Sequence, residues 1–348
     1  MKLKAIMGAS LSATQFYLYG RKHFTQTGYL KSKSSYTSPV QDSPSIGLNQ
    51  SGADGVNLSD KVVVITGANS GVGKELSTYA AAKGAKLYMI CRSEDRARAA
   101  REEIIKDISN PENVQILLAD VGELSQVRRV VSELQSKTDK VDVLICNAGV
   151  LLSDRQETSE GNEVTFASHL LGGSYLLSTL LIPHLQAAGS EARVIYVSSG
   201  GMYCSPFPSW DEATSAKPKF ASKYNGNLAY SVAKRGQVLL AEQYTKLHPE
   251  INWVTAHPGW SETPAVDLAY GSSKKYLEPF RTPWQGAEGI AWLMGTEAKN
   301  IKSGEFYLDR QPHRKHLAGP FMLEGTYTKN SEKEVQDMME NLKKTAGL

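Results

Sequence analysis
The sequence predicts a single α/β domain built on a doubly wound parallel sheet of about seven strands. Six short β-favouring runs carry that prediction: KVVVIT (61–66), KLYMIC (86–91), VQILLA (114–119), VDVLIC (141–146), RVIYVS (193–198) and INWVTA (251–256). Their apolar residues are nearly continuous rather than alternating, as expected of strands covered by helices on both faces. Between successive runs lies a stretch with helical periodicity, so the chain reads as repeated βαβ units. With 348 residues and 41% hydrophobic content, it is long enough to bury one sizeable core.

In chain order, residues 1–59 read as an extension. The first 41 residues carry six Lys/Arg and no acid amid many Ser and Thr. That is the composition of an organelle-targeting segment, although a basic, partly helical extension of the mature protein fits it too. Residues 5–19 are uncharged but too short and too polar to cross a bilayer, so no transmembrane span is expected. A peripheral membrane contact through Phe16, Tyr17, Leu18 and Tyr19, next to Arg21 and Lys22, stays open. Eight serines with Pro39, Pro44 and several glycines make 31–59 a linker, and the folded domain, 60–310, is expected to begin near Lys61. EFYLD (305–309) is a candidate seventh strand closing the far edge of the sheet. In the C-terminal extension, 311–348, Val335, Met338, Met339 and Leu342 recur at helical spacing; docking of this amphipathic helix on the domain is favoured over a membrane or partner contact.

Composition narrows the function classes. A net charge of +3, with no Lys/Arg cluster interleaved with aromatic residues, gives no case for nucleic acid as a partner. Cys91, Cys146 and Cys204 lack CxxC spacing, so neither a disulfide framework nor a metal site is indicated. A reducing compartment follows as the default, cytoplasmic or mitochondrial. Cys91 and Cys146 end apolar runs and read as small buried hydrophobes.

The chemistry gathers at strand ends. TGANSGVG (66–73) follows the first strand and opens a helix. Gly67, Gly71 and Gly73 permit a tight turn and close approach to a pyrophosphate, whose charge the free N–H groups of the helix start favour. Thr66, Gly67, Asn69, Ser70, Gly71, Val72 and Gly73 are therefore candidate dinucleotide contacts, and the domain is Rossmann-type. The spacing is TGxxxGxG rather than GxGxxG, and a plain strand-to-helix turn is the alternative. After the second strand stands Arg92, whose guanidinium fork suits a ribose 2'-phosphate, so NADP(H) is preferred. Glu94 and Asp95 keep NAD(H) open, though they also suit the first turn of the next helix. Asp120 and Val121 follow the third strand, Asn147, Ala148 and Gly149 the fourth, and Ser198 and Ser199 the fifth. All fall on the carboxyl edge, where open α/β sheets bind ligands. On the next helix, Tyr230 and Lys234 share one face, so the ammonium can sit near the phenol.

TGxxxGxG, NAG, a serine after the fifth strand and YxxxK together resemble the short-chain dehydrogenase/reductase family over roughly residues 60–300. GRKHFTQTGY (20–29), VSSGGM (197–202), HPGWSETP (257–264) and GEFYLDRQP (304–312) are similar to segments of one particular member, which weighs against treating the whole basic N-terminus as a cleaved presequence. The resemblance implies an oxidoreductase that interconverts a carbonyl and an alcohol by hydride transfer. It makes Tyr230 the general acid of reduction and Ser199 the partner of the substrate oxygen. Lys234 would favour the phenolate and hold the nicotinamide ribose, Pro258 and Gly259 would set the turn toward the nicotinamide, and Thr263 would contact its amide. Relatives often pair through the helix carrying YxxxK, so a homodimer is an open expectation.

Two features depart from the family pattern. Where many relatives carry an asparagine that places a water near the lysine, FASHLLGG (166–173) has His169. A histidine can relay protons. Alternatively the relay is broken and the domain is a cofactor-binding regulatory or scaffold protein, or the alignment is out of register. Ser199 and Tyr230 are also 31 residues apart, more than in compact relatives; the intervening loop either covers substrate or packs on its own aromatic residues. Trp260, Val266, Leu268, Tyr270, Tyr276, Leu277 and Phe280 supply apolar surface suited to a small apolar substrate, a lipid aldehyde, retinoid or steroid, with core packing an equal contender. Retention of Ser199, Tyr230 and Lys234 favours the enzyme.

Overall fold
The computed structural model describes residues 14–38, 40, 42–45, 55–263, 271–317 and 327–348. One sheet holds β1 (Val62–Thr66), β2 (Lys86–Cys91), β3 (Val114–Leu118), β4 (Val143–Cys146), β5 (Arg193–Val197), β6 (Asn252–Ala256), β7 (Phe306–Leu308) and β8 (Gln311–His313). Their order is β3-β2-β1-β4-β5-β6-β7-β8, parallel up to β7 and antiparallel between β7 and β8. Alternate residues of a strand face opposite sides. Val62 and Val64 therefore pack with α5 (Leu124–Gln135), α6 (Val164–Ala187) and α7 (Gly226–Leu247), while Val63 and Ile65 pack with α3 (Gly71–Ala82), α4 (Glu94–Ile104) and α8 (Pro283–Gly295). Burial on both faces is what the continuous apolar runs require.

The sheet has one strand more than the seven expected. Asp309 and Arg310 alone connect β7 to β8, with φ of 52° and 65°. Two central residues with positive φ make a type I' hairpin turn, usually built from Asn-Gly or Asp-Gly, so Asp-Arg gave no turn signal. Side-chain pairs fix this turn instead. Asp309 accepts both arms of the buried Arg281 guanidinium, Nη1 to Oδ1 at 2.5 Å and Nη2 to Oδ2 at 2.9 Å. Arg310 Nε donates to Glu288 Oε1 at 2.9 Å.

Packed structure also begins well before Lys61. Residues 14–23 form α1, and α2 (Gln26–Lys33) follows under an N-cap by Thr25. Arg281 binds this segment too: Nε donates to Phe24 O at 2.9 Å and Nη2 to His23 O at 2.6 Å. Phe24 and Tyr29 are buried, and a Cβ on Gly20 would lie 2.4 Å from Trp260 Cζ2. The Arg310 guanidinium stacks 4.5 Å from the Tyr36 ring centroid, so the linker reading fails at its start. Of the four residues considered for a membrane contact, Phe16 and Tyr19 turn inward to pack with Phe24 and Trp260; Tyr17 and Leu18 stay exposed. Serine-rich composition registers polarity, but the few aromatic residues here are held by partners more than 200 positions away.

Beyond β8, α9 (Glu332–Ala346) is closed by a Ser331–Glu334 capping box and buries Val335, Met338, Leu342 and Ala346 in the main core. Between β5 and α7, Met202, Tyr203 and Phe207 are buried and Trp210 meets Phe166 edge-on at 5.2 Å, so this insertion packs on the domain. Among the described residues only α6 is long and apolar enough to cross a membrane, and 83% of its apolar window is buried inside the protein, as suits a core helix.

Arg281→Ala should destabilise the protein by about 3–5 kcal/mol, because it leaves Asp309 buried without its partner. Chemical denaturation would measure this, and limited proteolysis should show cleavage within 14–36 in the variant first.

Candidate active site
The glycine-rich turn is built by close contacts. Gly67 and Gly71 have φ of 63° and 51°, which side chains rarely adopt. A Cβ on Gly73 would lie 2.2 Å from Gly67 O, so the third glycine lets α3 start hard against the end of β1. Thr66 Oγ1 accepts from the backbone N–H of Asn147 (3.0 Å) and Ala148 (2.9 Å), and Asn147 Nδ2 donates to Thr66 O (3.0 Å) and Gly67 O (3.3 Å). These bonds tie NAG to the turn across β1 and β4, where strand order reverses and ligands bind.

The other nucleotide candidates surround this point. Ser70 is exposed at the N-cap of α3 and makes no side-chain cap bond, beside half-exposed Asn69; Val72 and Val121 are buried beneath. Thr263 Cγ2 would lie 3.4 Å from a Cβ on Gly71. Arg92, 58% exposed, reaches Asp120 Oδ2 at 3.3 Å, and Asp120 Oδ1 accepts from Gly122 N at 2.9 Å. Gly259 has φ 70° and donates its N–H to His257 Nδ1 at 2.7 Å, while Pro258 O accepts from Ser261 Oγ at 2.7 Å, so this pair shapes a turn. A side-chain-free cradle at a helix start, with a guanidinium beside it, fits a dinucleotide. Val266, Leu268 and Tyr270 lie outside the described residues. Trp260, Leu277 and Phe280 pack in the aromatic cluster with the N-terminal segment, whereas Tyr276 is exposed.

The catalytic candidates converge between β5 and α7. Ser199 caps the turn after β5, its Oγ accepting from Gly201 N at 3.2 Å. A Cβ on Gly201 would lie 3.5 Å from Tyr230 Cδ1, so this turn rests against the start of α7. On the other side, a Cβ on Gly200 would lie 2.6 Å from Phe16 Cε2 and 2.8 Å from Phe24 Cε2. The N-terminal aromatic residues thus reach the position next to Ser199. Tyr230 is half-buried, and Lys234, 3% exposed, sets Nζ 5.5 Å from its ring centroid. Lys234 Nζ donates to Val197 O at 2.6 Å and to Gln237 Oε1 at 3.2 Å. No carboxylate pairs with it among the described residues; burial pulls its pKa down to about 7.

His169 is buried with its ring perpendicular to that of Tyr230, centroids 5.1 Å apart. Its Nε2 lies 2.7 Å from Val150 O and 3.1 Å from Val150 N, and Nδ1 has no partner among the described residues. Burial first, then the charge of Lys234, holds it neutral far below its ordinary range. The ring is bonded to Val150 and not to Lys234. The backbone carbonyl of His169 instead accepts from Gln237 Nε2 at 3.0 Å and Ser174 Oγ at 2.6 Å. Neither Gln237 nor Ser174 was singled out from the sequence. Gln237 stands three residues after Lys234, on the same helical face, and that spacing was the available signal.

A family model for short chain dehydrogenases matches residues 61–217. Dehydrogenase/reductase SDR family member 12 of Homo sapiens is 33% identical over 292 residues, covering 83% of this chain and 88% of that protein. The chain belongs to the short-chain dehydrogenase/reductase family. Members of this oxidoreductase family bind nicotinamide cofactors and act on small-molecule carbonyl or alcohol compounds. Retinol dehydrogenase 12 of Homo sapiens is 31% identical over 262 residues, 73% of this chain and 79% of the relative. Among solved structures, a short-chain dehydrogenase of Shigella flexneri complexed with NADP aligns with a TM-score of 0.55 at 19% identity, over 73% of this chain and 98% of its own, a likeness of fold.

Burial also depresses His257, which Arg281 and other cations push further down. Unfolded, both His169 and His257 would titrate near 6.5; folded, they stay neutral. Below that pH the unfolded state takes up protons the folded state refuses, so stability should fall on acidification by about 1.4 kcal/mol per pH unit for each histidine. His23, His313 and His316 are depressed in the same direction and add to the slope. Denaturation between pH 6.5 and 5 should show this loss, and His169→Asn should reduce the slope by about one histidine's share.

Proposed function
We propose that this short-chain dehydrogenase/reductase is an NADP(H)-preferring oxidoreductase that interconverts a carbonyl and an alcohol on a small apolar substrate. The observation that carries the reading is the buried Lys234 amino group, 5.5 Å from the Tyr230 ring centroid, at the strand end that also carries Ser199. A nicotinamide dinucleotide bound over the turn at 66–73 supplies or accepts the hydride.

The protein's own groups handle the proton and the charge. Ser199 Oγ already accepts from Gly201 N, so its hydroxyl hydrogen is directed elsewhere and can donate to a substrate oxygen. Tyr230 gives its proton to that oxygen in reduction and takes it back in oxidation. A phenol titrates near 10, and bringing it about 3 units toward neutrality needs about 4 kcal/mol of differential stabilisation. The Lys234 ammonium, in surroundings of low dielectric, is the source of this stabilisation within the chain.

Arg92 supports the preference for NADP(H): it is exposed at the end of β2, and its pairing with Asp120 at 3.3 Å is loose enough to yield to a phosphate. The aromatic side chains of Phe16 and Phe24 next to Gly200, with Trp260 packed on both, support an apolar substrate. The relative called retinol dehydrogenase 12 is consistent with one.

Purified protein should consume NADPH with a panel of aliphatic aldehydes, retinal and ketosteroids. Tyr230→Phe should lower turnover by about 10²–10⁴-fold while NADPH binding stays within a few fold. Binding without turnover on any of these compounds would overturn the enzyme reading in favour of a cofactor-binding regulatory protein. Arg92→Asp should weaken NADPH binding by about 10–100-fold and spare NADH, read by titration calorimetry.

A further inference from the structure
We propose that Gln237 is a positioning residue that favours the charged form of Lys234 and aims its ammonium at Tyr230. The inference rests on the reading of Tyr230 and Lys234 as the acid–base pair and adds a residue to it.

The orientation of the Gln237 amide is dictated by its neighbours. His169 O can only accept, and it lies 3.0 Å from Gln237 Nε2. Ser174 Oγ gives its own proton to His169 O at 2.6 Å, so toward Gln237 Nε2, at 3.0 Å, it accepts as well. The amide nitrogen therefore faces α6 and its oxygen faces Lys234, at 3.2 Å. Flipping the amide would set oxygen against a carbonyl oxygen. An ammonium has three N–H donors. Val197 O takes one and Gln237 Oε1 a second, which leaves the third for the side facing Tyr230.

The backbone of α6 makes the arrangement available. Between Ala167 and Leu176 this helix is wound as a π-helix, a wider form often found at functional sites. The carbonyl of His169 lies in that stretch and serves two side-chain donors. Gln237, Lys234, His169 and Ser174 are all at most 3% exposed, so a missing bond in this group would not be replaced cheaply by solvent.

The groups facing Lys234 offer no negative charge at neutral pH. Cys146, at the end of β4, is a thiol whose pKa burial raises. His169 on α6 and His257 after β6 are held neutral, and Tyr230 on α7 is the group to be ionised. Val197 O and Gln237 Oε1 are thus the acceptors that favour the charged lysine. An amide does not pass protons along at neutral pH, so Gln237 orients the lysine and relays nothing.

The test uses the full chain with ¹³C-labelled lysine, following the Lys234 side chain by NMR across pH, together with the pH profile of NADPH-dependent turnover. Gln237→Leu should lower the Lys234 pKa by about one unit and move the alkaline limb of the profile down equally, about a tenfold loss at a pH on that limb. Gln237→Glu should move both upward. A Lys234 pKa that stays put in both variants, with turnover reduced evenly at every pH, would overturn the proposal and leave Gln237 a packing residue. If Gln237→Leu does not fold, Gln237→Met, which removes the same amide from an unbranched side chain, decides in its place by the same downward shift. A wild-type protein that turns over no carbonyl compound would defeat the enzyme reading, yet the NMR shifts would still decide the part played by Gln237.

Discussion
A buried ammonium without a carboxylate is the constraint around which the site is arranged. Removing the Lys234 charge from water is unfavourable, and in such a place the group either discharges or is surrounded by acceptors. Here the acceptors are a carbonyl at the end of β5 and the amide of Gln237. The amide in turn needs acceptors for its own N–H groups, and His169 O and Ser174 Oγ meet that need on α6. A chain of obligations beginning at one charge therefore fixes the seam between α6 and α7, together with the strand they cover.

Arg281 solves the same problem by the opposite means. Its guanidinium is buried against a carboxylate and two backbone carbonyls, so each of its three nitrogens has a partner. Because those partners come from the N-terminal segment and the β7–β8 hairpin, one ion joins two distant stretches to the loop after β6. The N-terminal aromatic residues are carried to the edge of the candidate site by this link. Their contact with Gly200 makes a segment that reads as an appendage part of the wall beside Ser199.

Legibility in the sequence followed the range of the interactions. KLYMIC coincides with β2 residue for residue, because Gly84 marks its start and a continuous apolar run its length. The other strands lost one or two residues at their ends, where hydrogen bonding to the neighbouring strand decides. β8 was missed because its turn is stabilised by side-chain pairs across the fold instead of by glycine. The packing of residues 14–36 was not legible for a related reason: their burial depends on partners such as Trp260 and Arg281. At the site, the motif residues were legible and the link through Gln237 was not. It runs to a stretch of α6 that is wound as a π-helix, which no local pattern announced.

The sequence by itself determined the βαβ alternation, the glycine turn, the placement of Ser199, Tyr230 and Lys234 at one edge, and the family. The first three follow from backbone geometry, since side chains recur every two residues on a strand and every 3.6 on a helix, and ligands gather at the carboxyl ends of parallel strands, whereas the family was legible through the resemblance of its motifs. Only the tertiary structure decided what surrounds the lysine, where the N-terminus lies and which atoms of His169 take part. Most of these are contacts between residues distant in the chain, such as Phe24 and Arg281, 257 positions apart. Local propensity carries no record of such a contact; packing and the need to satisfy buried polar groups select it.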